Sequence, residues 1–116
     1  MAMTPEVKAK TIIKRKLDIV LKETKLKSKL HWNGGGLTGT PRLDFDGVIG
    51  GHPFYIEVKR FDGKGRVTAR QLSDINDYRK AGAFSMLIED EASLEVFLNW
   101  VRNIKAKQGW VYPNEH

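Results

Sequence analysis

Cysteine is absent from this chain of 116 residues. Its absence excludes a disulfide framework and any metal site built on thiolates, and it fits a reducing compartment. Long apolar runs are missing too, and none approaches the roughly 18 residues that a membrane-spanning helix needs. Because no signal-peptide-like apolar segment lies near the first residue, we expect a cytoplasmic protein with no membrane partner.

Aromatic residues are also few, at 9% of the chain, and the three tryptophans are too dispersed in sequence to suggest a base-stacking platform. The apolar share of 41% and the charged share of 29% are those of an ordinary globular protein. The length fits one domain, spanning residues 1–116, with a core of its own.

The net charge of +6 is unevenly distributed along the chain. Residues 1–30 contain nine Lys or Arg and three Asp or Glu, whereas residues 31–116 contain eleven of each kind. A basic face confined to one element favours a phosphate-backbone partner such as DNA. A lysine-rich helix face that is merely solvated is the alternative, because net charge alone does not define a mechanism.

Apolar periodicity and turn residues predict the element order α-β-β-β-α-β-α. Gly50 and Gly51 predict a hairpin turn, and Gly82 predicts a helix stop. The expected fold class is a single α/β domain in which helices flank a mixed central sheet. The predicted helices span 4–27, 68–81 and 91–107, and the predicted strands span 29–32, 42–49, 53–61 and 83–89.

Alternation along the predicted strands places several charged side chains on one face of the sheet. If 42–49 and 53–61 pair as a hairpin, Asp44, Asp46, Glu57 and Lys59 share the face opposite the apolar core. Neighbouring carboxylates raise each other's pKa unless a cation lies among them. Oxygen ligands without cysteine favour Mg²⁺ or Mn²⁺ over zinc. A solvent-facing Glu57–Lys59 pair with no role in chemistry is the competing interpretation.

The segment "RLDFDGVIGGHPFYIEVKRF" contains an aspartate followed by Glu-x-Lys across two adjacent strands. A glutamine follows twelve positions after Lys59, and a "GLTGTP" loop precedes the aspartate. Over about residues 34 to 83 this pattern resembles the VRR-NUC (virus-type replication-repair nuclease) domain of the PD-(D/E)XK nuclease superfamily. The stretch around Asp44, Asp46 and Gly47 also resembles Holliday-junction resolvases. The resemblance implies a restriction-endonuclease-like core.

The resemblance implies that Asp44 and Glu57 bind Mg²⁺ or Mn²⁺, with the backbone carbonyl of Val58 as a further ligand. It implies that Lys59 orients the attacking water and stabilises the transition state. In the family motif the aspartate usually follows the proline directly. Here Arg42 and Leu43 separate Pro41 from Asp44. Asp46 therefore stays open as an alternative ligand to Asp44.

Two further residues match the family pattern. Gln71 would support Lys59 or the water, but it also stands three residues after Thr68, the spacing of a helix capping box. Glu6 would reach the metal from the first helix, although an acidic residue in a first turn is favoured by the helix dipole in any protein.

The function implied is that of a Mg²⁺- or Mn²⁺-dependent DNA endonuclease that cuts branched DNA, such as four-way junctions, as a homodimer and without a small-molecule substrate. Its setting would be replication, recombination or repair in the cytoplasm of a bacterial or phage-infected host cell. A non-catalytic DNA-binding module of the same fold, acting within a larger assembly, is the alternative. A sequence-specific restriction-type enzyme would normally need extra elements for major-groove readout.

Overall fold

The computed structural model arranges residues 3–33 and 43–114, the part of the chain that it describes, around a mixed sheet. The element order α-β-β-β-α-β-α is confirmed. In chain order the elements are α1 (Pro5–Thr24), β1 (Ser28–Trp32), β2 (Phe45–Ile49), β3 (His52–Val58), α2 (Ala69–Lys80), β4 (Phe84–Ile88) and α3 (Glu91–Asn103).

The strands lie in the order β1-β2-β3-β4, with β1/β2 and β2/β3 antiparallel and β3/β4 parallel. The predicted hairpin turn is confirmed, since Gly50 and Gly51 alone separate β2 from β3 and have φ values of 57° and 83°. Two consecutive residues with positive φ fit the twist of a two-residue hairpin. This short turn fixes the register that pairs Phe45 with Ile56.

Helices α1 and α3 pack on one face of the sheet, and α2 packs on the other. The α2 face carries Tyr55 of β3, whose ring stacks on Tyr78 of α2 with 3.7 Å between centroids. Because side chains alternate along β3, Glu57 lies on the α2 face while Ile56 and Val58 face the main core. That core is formed by Ala9, Ile13, Leu17, Val20, Phe45, Ile49, Phe54, Ile56, Val58, Ile88, Leu94, Phe97, Leu98 and Val101.

The ends of the elements differ from the predicted bounds. Asp44 lies just before β2 and Lys59 just after β3, so the two strands are shorter than predicted. The helix α3 ends at Asn103 because Ile104 is extended, and this lets the Lys107 N–H bond to the Gly50 carbonyl at 2.9 Å. The predicted burial of the fourth strand on both sides holds only in part, since three of its five residues are half-buried in this edge strand.

Within the described residues, no helix is both long enough and apolar enough to cross a membrane.

Candidate metal centre

Asp44 and Glu57 meet at one end of the sheet, where β2 begins and β3 ends. Antiparallel neighbours place the start of one strand beside the end of the other. The Val58 N–H donates a hydrogen bond to Asp44 Oδ2 at 3.0 Å. The carboxyl group of Asp44 also lies close enough to that of Glu57 to raise its pKa. The register of one hairpin therefore brings together two carboxyl groups that are thirteen positions apart in the sequence.

The electrostatics of Glu57 are unusual for a carboxyl group. Its exposed fraction is 4%, and this burial, together with the neighbouring carboxyl group of Asp44 and its negative charge, raises the pKa of Glu57 to about 8. Lys59 acts in the opposite direction but does not cancel the effect. At neutral pH the Glu57 carboxyl group accordingly keeps its proton, and a cation bound beside it would favour its ionised form instead.

Lys59 supplies a positive charge at the same end of the sheet. Its Nζ lies 3.5 Å from Glu57 Oε1, and its side chain is 16% exposed. Although Lys59 lies one residue beyond β3, its backbone N–H donates to the Ile88 carbonyl at 2.9 Å. The sheet hydrogen bonding thus continues to Lys59 and fixes its Cα.

Gln71 completes the capping box that its spacing predicted, and its side chain also bonds to Glu57, whereas the resemblance implied support of Lys59 or the water. Its backbone N–H donates to Thr68 Oγ1 at 3.1 Å, and its Oε1 accepts from the Thr68 N–H at 2.9 Å, which completes a capping box. Its Nε2 donates to Glu57 Oε1 at 3.1 Å. Because the capping box occupies the carbonyl oxygen, the amide presents its donor side to Glu57.

Asp46 lies deeper in β2 than the carboxyl pair. It is 8% exposed, stands opposite Tyr55 in the register and accepts a hydrogen bond from Asn33 Nδ2 at 2.9 Å. The same Asn33 amide also donates to the Leu43 carbonyl. The bond between Asp46 and Asn33 helps to hold the ends of β1 and β2 together. Asp44, by contrast, is the aspartate that lies beside Glu57 and raises its pKa.

Glu6 is exposed in the first turn of α1. The pKa of Arg60 is raised mainly by a hydrogen bond to Asp62, and the charge of Glu6 adds to this effect. The start of α1 therefore lies on the same side of the molecule as the segment that follows Lys59.

Sequence reasoning missed Lys10, which the structure brings to the site. Its Nζ lies 3.7 Å from Asp44 Oδ1. Charge alone does not distinguish Lys10 among the nine basic residues of residues 1–30. Its spacing from the buried Ala9 and Ile13 places it at the edge of the core-facing stripe, which was the one available signal.

The chemistry of this end of the sheet fits a hard divalent cation. In residues 3–33 and 43–114 no three His, Asp or Glu side chains are grouped to hold a metal ion, so a ligand set would consist of Asp44, Glu57 and a backbone carbonyl such as that of Val58. Mg²⁺ is commonly held by one or two carboxylates, with water and substrate phosphates completing its shell. Two carboxyl groups held in contact meet that requirement.

No protein-family model matches the chain, and comparison with curated proteins and with solved structures found no match. The "GLTGTP" loop, one part of the resemblance, lies outside the described residues. The VRR-NUC resemblance, which spans about residues 34 to 83 of the sequence, thus stays a prediction.

Proposed function

We propose that this chain is a divalent-metal-dependent endonuclease that hydrolyses phosphodiester bonds of DNA. The observation that carries the proposal is the contact between Asp44 and Glu57 at the ends of adjacent strands, with Lys59 Nζ 3.5 Å from Glu57. A carboxyl pair and an ammonium group at one point are suited to a reaction in which negative charge builds up on phosphate.

Asp44 and Glu57 would hold the ion, together with the Val58 carbonyl. Bound there, Mg²⁺ or Mn²⁺ would polarise a phosphate oxygen and make water a better nucleophile near neutral pH. Glu57 is suited to the role of ligand because the Gln71 amide fixes its orientation. Asp44 is fixed in the same way by the Val58 N–H.

Lys59 would act on the phosphate itself. Its Cα is held by the sheet and its side chain is partly exposed, so it could donate to a non-bridging phosphate oxygen or to the attacking water. Its charge would then stabilise the extra negative charge of the transition state. Gln71 bonds to Glu57 and would act through it, as a positioning residue.

Branched DNA such as a four-way junction is the proposed substrate, and a homodimer is the proposed active form. The resemblance to junction resolvases supports branched DNA as the substrate. The basic helix α1 also suits a partner in which several phosphate backbones converge. A chain of 13.2 kDa with one site can nick two strands symmetrically only if a second copy supplies the second site.

The test is cleavage of a labelled four-way junction, with linear duplex and flap controls, in Mn²⁺, Mg²⁺ or EDTA. Wild type and Glu57→Ala are compared with Glu23→Ala, which removes an exposed carboxylate at the far end of α1. We expect metal-dependent cutting that Glu57→Ala abolishes without loss of DNA binding and that Glu23→Ala retains. Tight, salt-sensitive binding without cutting in either metal would instead favour a DNA-binding module.

A further inference from the structure

The backbone of Lys10 is held in place by its neighbours, whereas its ammonium group makes only a long contact. Ala9 and Ile13 of α1 are both fully buried, so the Cα of Lys10 is fixed against the core. Its Nζ lies 3.7 Å from Asp44 Oδ1, well beyond the roughly 2.8 Å of a charge-assisted hydrogen bond. Its side chain is 29% exposed. The ammonium group can therefore leave Asp44 without disturbing the packing of α1.

Lys10 and Lys59 approach the carboxyl pair from different elements. Lys10 comes from α1 and lies beside Asp44, whereas Lys59 follows β3 and lies beside Glu57. Both carboxyl groups would be ionised when a divalent ion is bound, and each then has an ammonium group beside it. A divalent ion bound to the carboxylates would leave an excess of two positive charges, which an anionic substrate would neutralise.

The next turn of α1 carries a further positive charge beside Lys10. Lys14 follows Lys10 by four positions, so the two lie on the same side of the helix. The Nζ of Lys14 lies 4.9 Å from the centroid of the Trp32 ring, at the end of β1. The edge of α1 from Lys14 to Lys10 therefore runs along the strand ends towards Asp44.

From this arrangement we infer that Lys10 is a phosphate-binding residue of the site. It lies beside Asp44 in the free protein and turns to a phosphate of the nucleic-acid backbone when a divalent ion occupies the carboxylates. Charge repulsion from the ion drives the change, and the flexible four-carbon stem of lysine permits it. This inference rests on the proposed function, since it needs both the ion and the phosphate.

The test compares Lys10→Met and Lys10→Arg with Lys8→Met, which removes an exposed lysine two positions away on another side of α1. The first measurement is Mn²⁺ affinity without DNA, by calorimetric titration. We expect Lys10→Met to bind Mn²⁺ about two- to fivefold more tightly, because a competing positive charge beside Asp44 is gone. Lys8→Met should match wild type.

The second measurement is the affinity for a labelled four-way junction over a series of salt concentrations, in Ca²⁺ and in EDTA. In Ca²⁺ we expect Lys10→Met to bind about five- to tenfold more weakly, with the slope of log affinity against log salt reduced by about one. In EDTA the loss should be smaller, and Lys10→Arg should retain wild-type affinity. Thermal unfolding in EDTA checks that each variant folds.

The outcomes distinguish a failure of the proposed role of Lys10 from a failure of the proposed nuclease function. If wild type binds Mn²⁺ but Lys10→Met changes neither Mn²⁺ affinity nor the salt slope, the role of Lys10 is overturned and the proposed function stands. Weaker Mn²⁺ binding by Lys10→Met would also overturn it, because Lys10 would then be a structural counter-ion of Asp44. If wild type binds no Mn²⁺, the proposed function fails and the role of Lys10 fails with it.

Discussion

Gln71 Nε2 donates to Glu57 Oε1 at 3.1 Å while the carbonyl oxygen of the same amide accepts from the Thr68 N–H at 2.9 Å. The start of α2 thus determines which end of the amide faces the buried carboxyl group. Through this one side chain, the N-terminal cap of a helix and the candidate metal ligand on β3 depend on each other.

Replacing Gln71 by glutamate separates its role in the helix cap from its role as a hydrogen-bond donor to Glu57. Gln71→Glu retains a residue that completes a capping box, but it replaces the donor to Glu57 with another carboxylate. In EDTA at pH 8 we expect the free energy of unfolding to fall by about 1–3 kcal/mol, because a buried acceptor loses its donor and gains a like charge. The measurement is urea denaturation, with Thr68→Ala as the control, which removes the cap alone at about 1 kcal/mol. A Gln71→Glu protein as stable as wild type would show that Gln71 serves the cap only.

The raised pKa of Glu57 predicts how the stability of the metal-free protein depends on pH. Between pH 4.5, its ordinary pKa, and about 8, the folded state holds a proton that the unfolded state has lost. The free energy of unfolding should therefore fall as pH rises through this window, by at most about 1.4 kcal/mol per pH unit from this group. Urea denaturation in EDTA at pH 5, 6, 7 and 8 measures the slope. Glu57→Gln should remove this contribution, whereas Glu23→Gln should leave it; equal slopes in all three proteins would contradict the assignment.

Gly47 pairs with Leu30 of β1, and the β1 backbone leaves no room there for a side chain. Its φ is +152°, and a Cβ added there would lie 2.0 Å from the Lys29 carbonyl oxygen. We expect Gly47→Ala to lower the free energy of unfolding by about 3 kcal/mol or more, since backbone must shift. Gly63→Ala is the matched control, because Gly63 has φ +78° but nothing within 4 Å, so only the conformational penalty of about 1–2 kcal/mol applies. Similar losses in the two variants, measured by urea denaturation, would show that the strands can separate locally without penalty.

The contact between Asp44 and Glu57 could be anticipated from the sequence, for a local reason. A strand alternates its faces, and the two glycines at 50 and 51 fix the hairpin register, so parity and turn length place Asp44 beside Glu57. The same reasoning identified Lys59, although the regular strand stops one residue before it. The capping box of Gln71 is also local and could be read from its spacing to Thr68.

The contacts that could not be predicted from the sequence depend on how distant elements are oriented. The approach of Lys10 to Asp44 requires a particular placement of α1 across the sheet, and the periodicity of α1 gives only the side that faces the core. The bond from Asn33 to Asp46 likewise depends on the pairing of β1 with β2. The chain after α3 bonds to the hairpin turn through the Lys107 N–H and the Gly50 carbonyl, and helix propensity does not encode this contact.

Asp44 and Asp46 were indistinguishable by strand parity, and the structure separates them by their contacts. We expect Asp44→Asn to lower Mn²⁺ affinity at least about tenfold, because a neutral amide replaces the carboxylate that contacts Glu57. Its fold should persist, since the amide oxygen can still accept from the Val58 N–H. Asp46→Asn should change the affinity by less than about threefold, because that carboxylate is bonded to Asn33 and lies two residue pairs deeper in the sheet. Calorimetric titration with Mn²⁺ at pH 8 measures both. A larger loss in Asp46→Asn would make Asp46 the ligand, and Asp44 would then be a residue that holds Glu57 and the end of β3 in place.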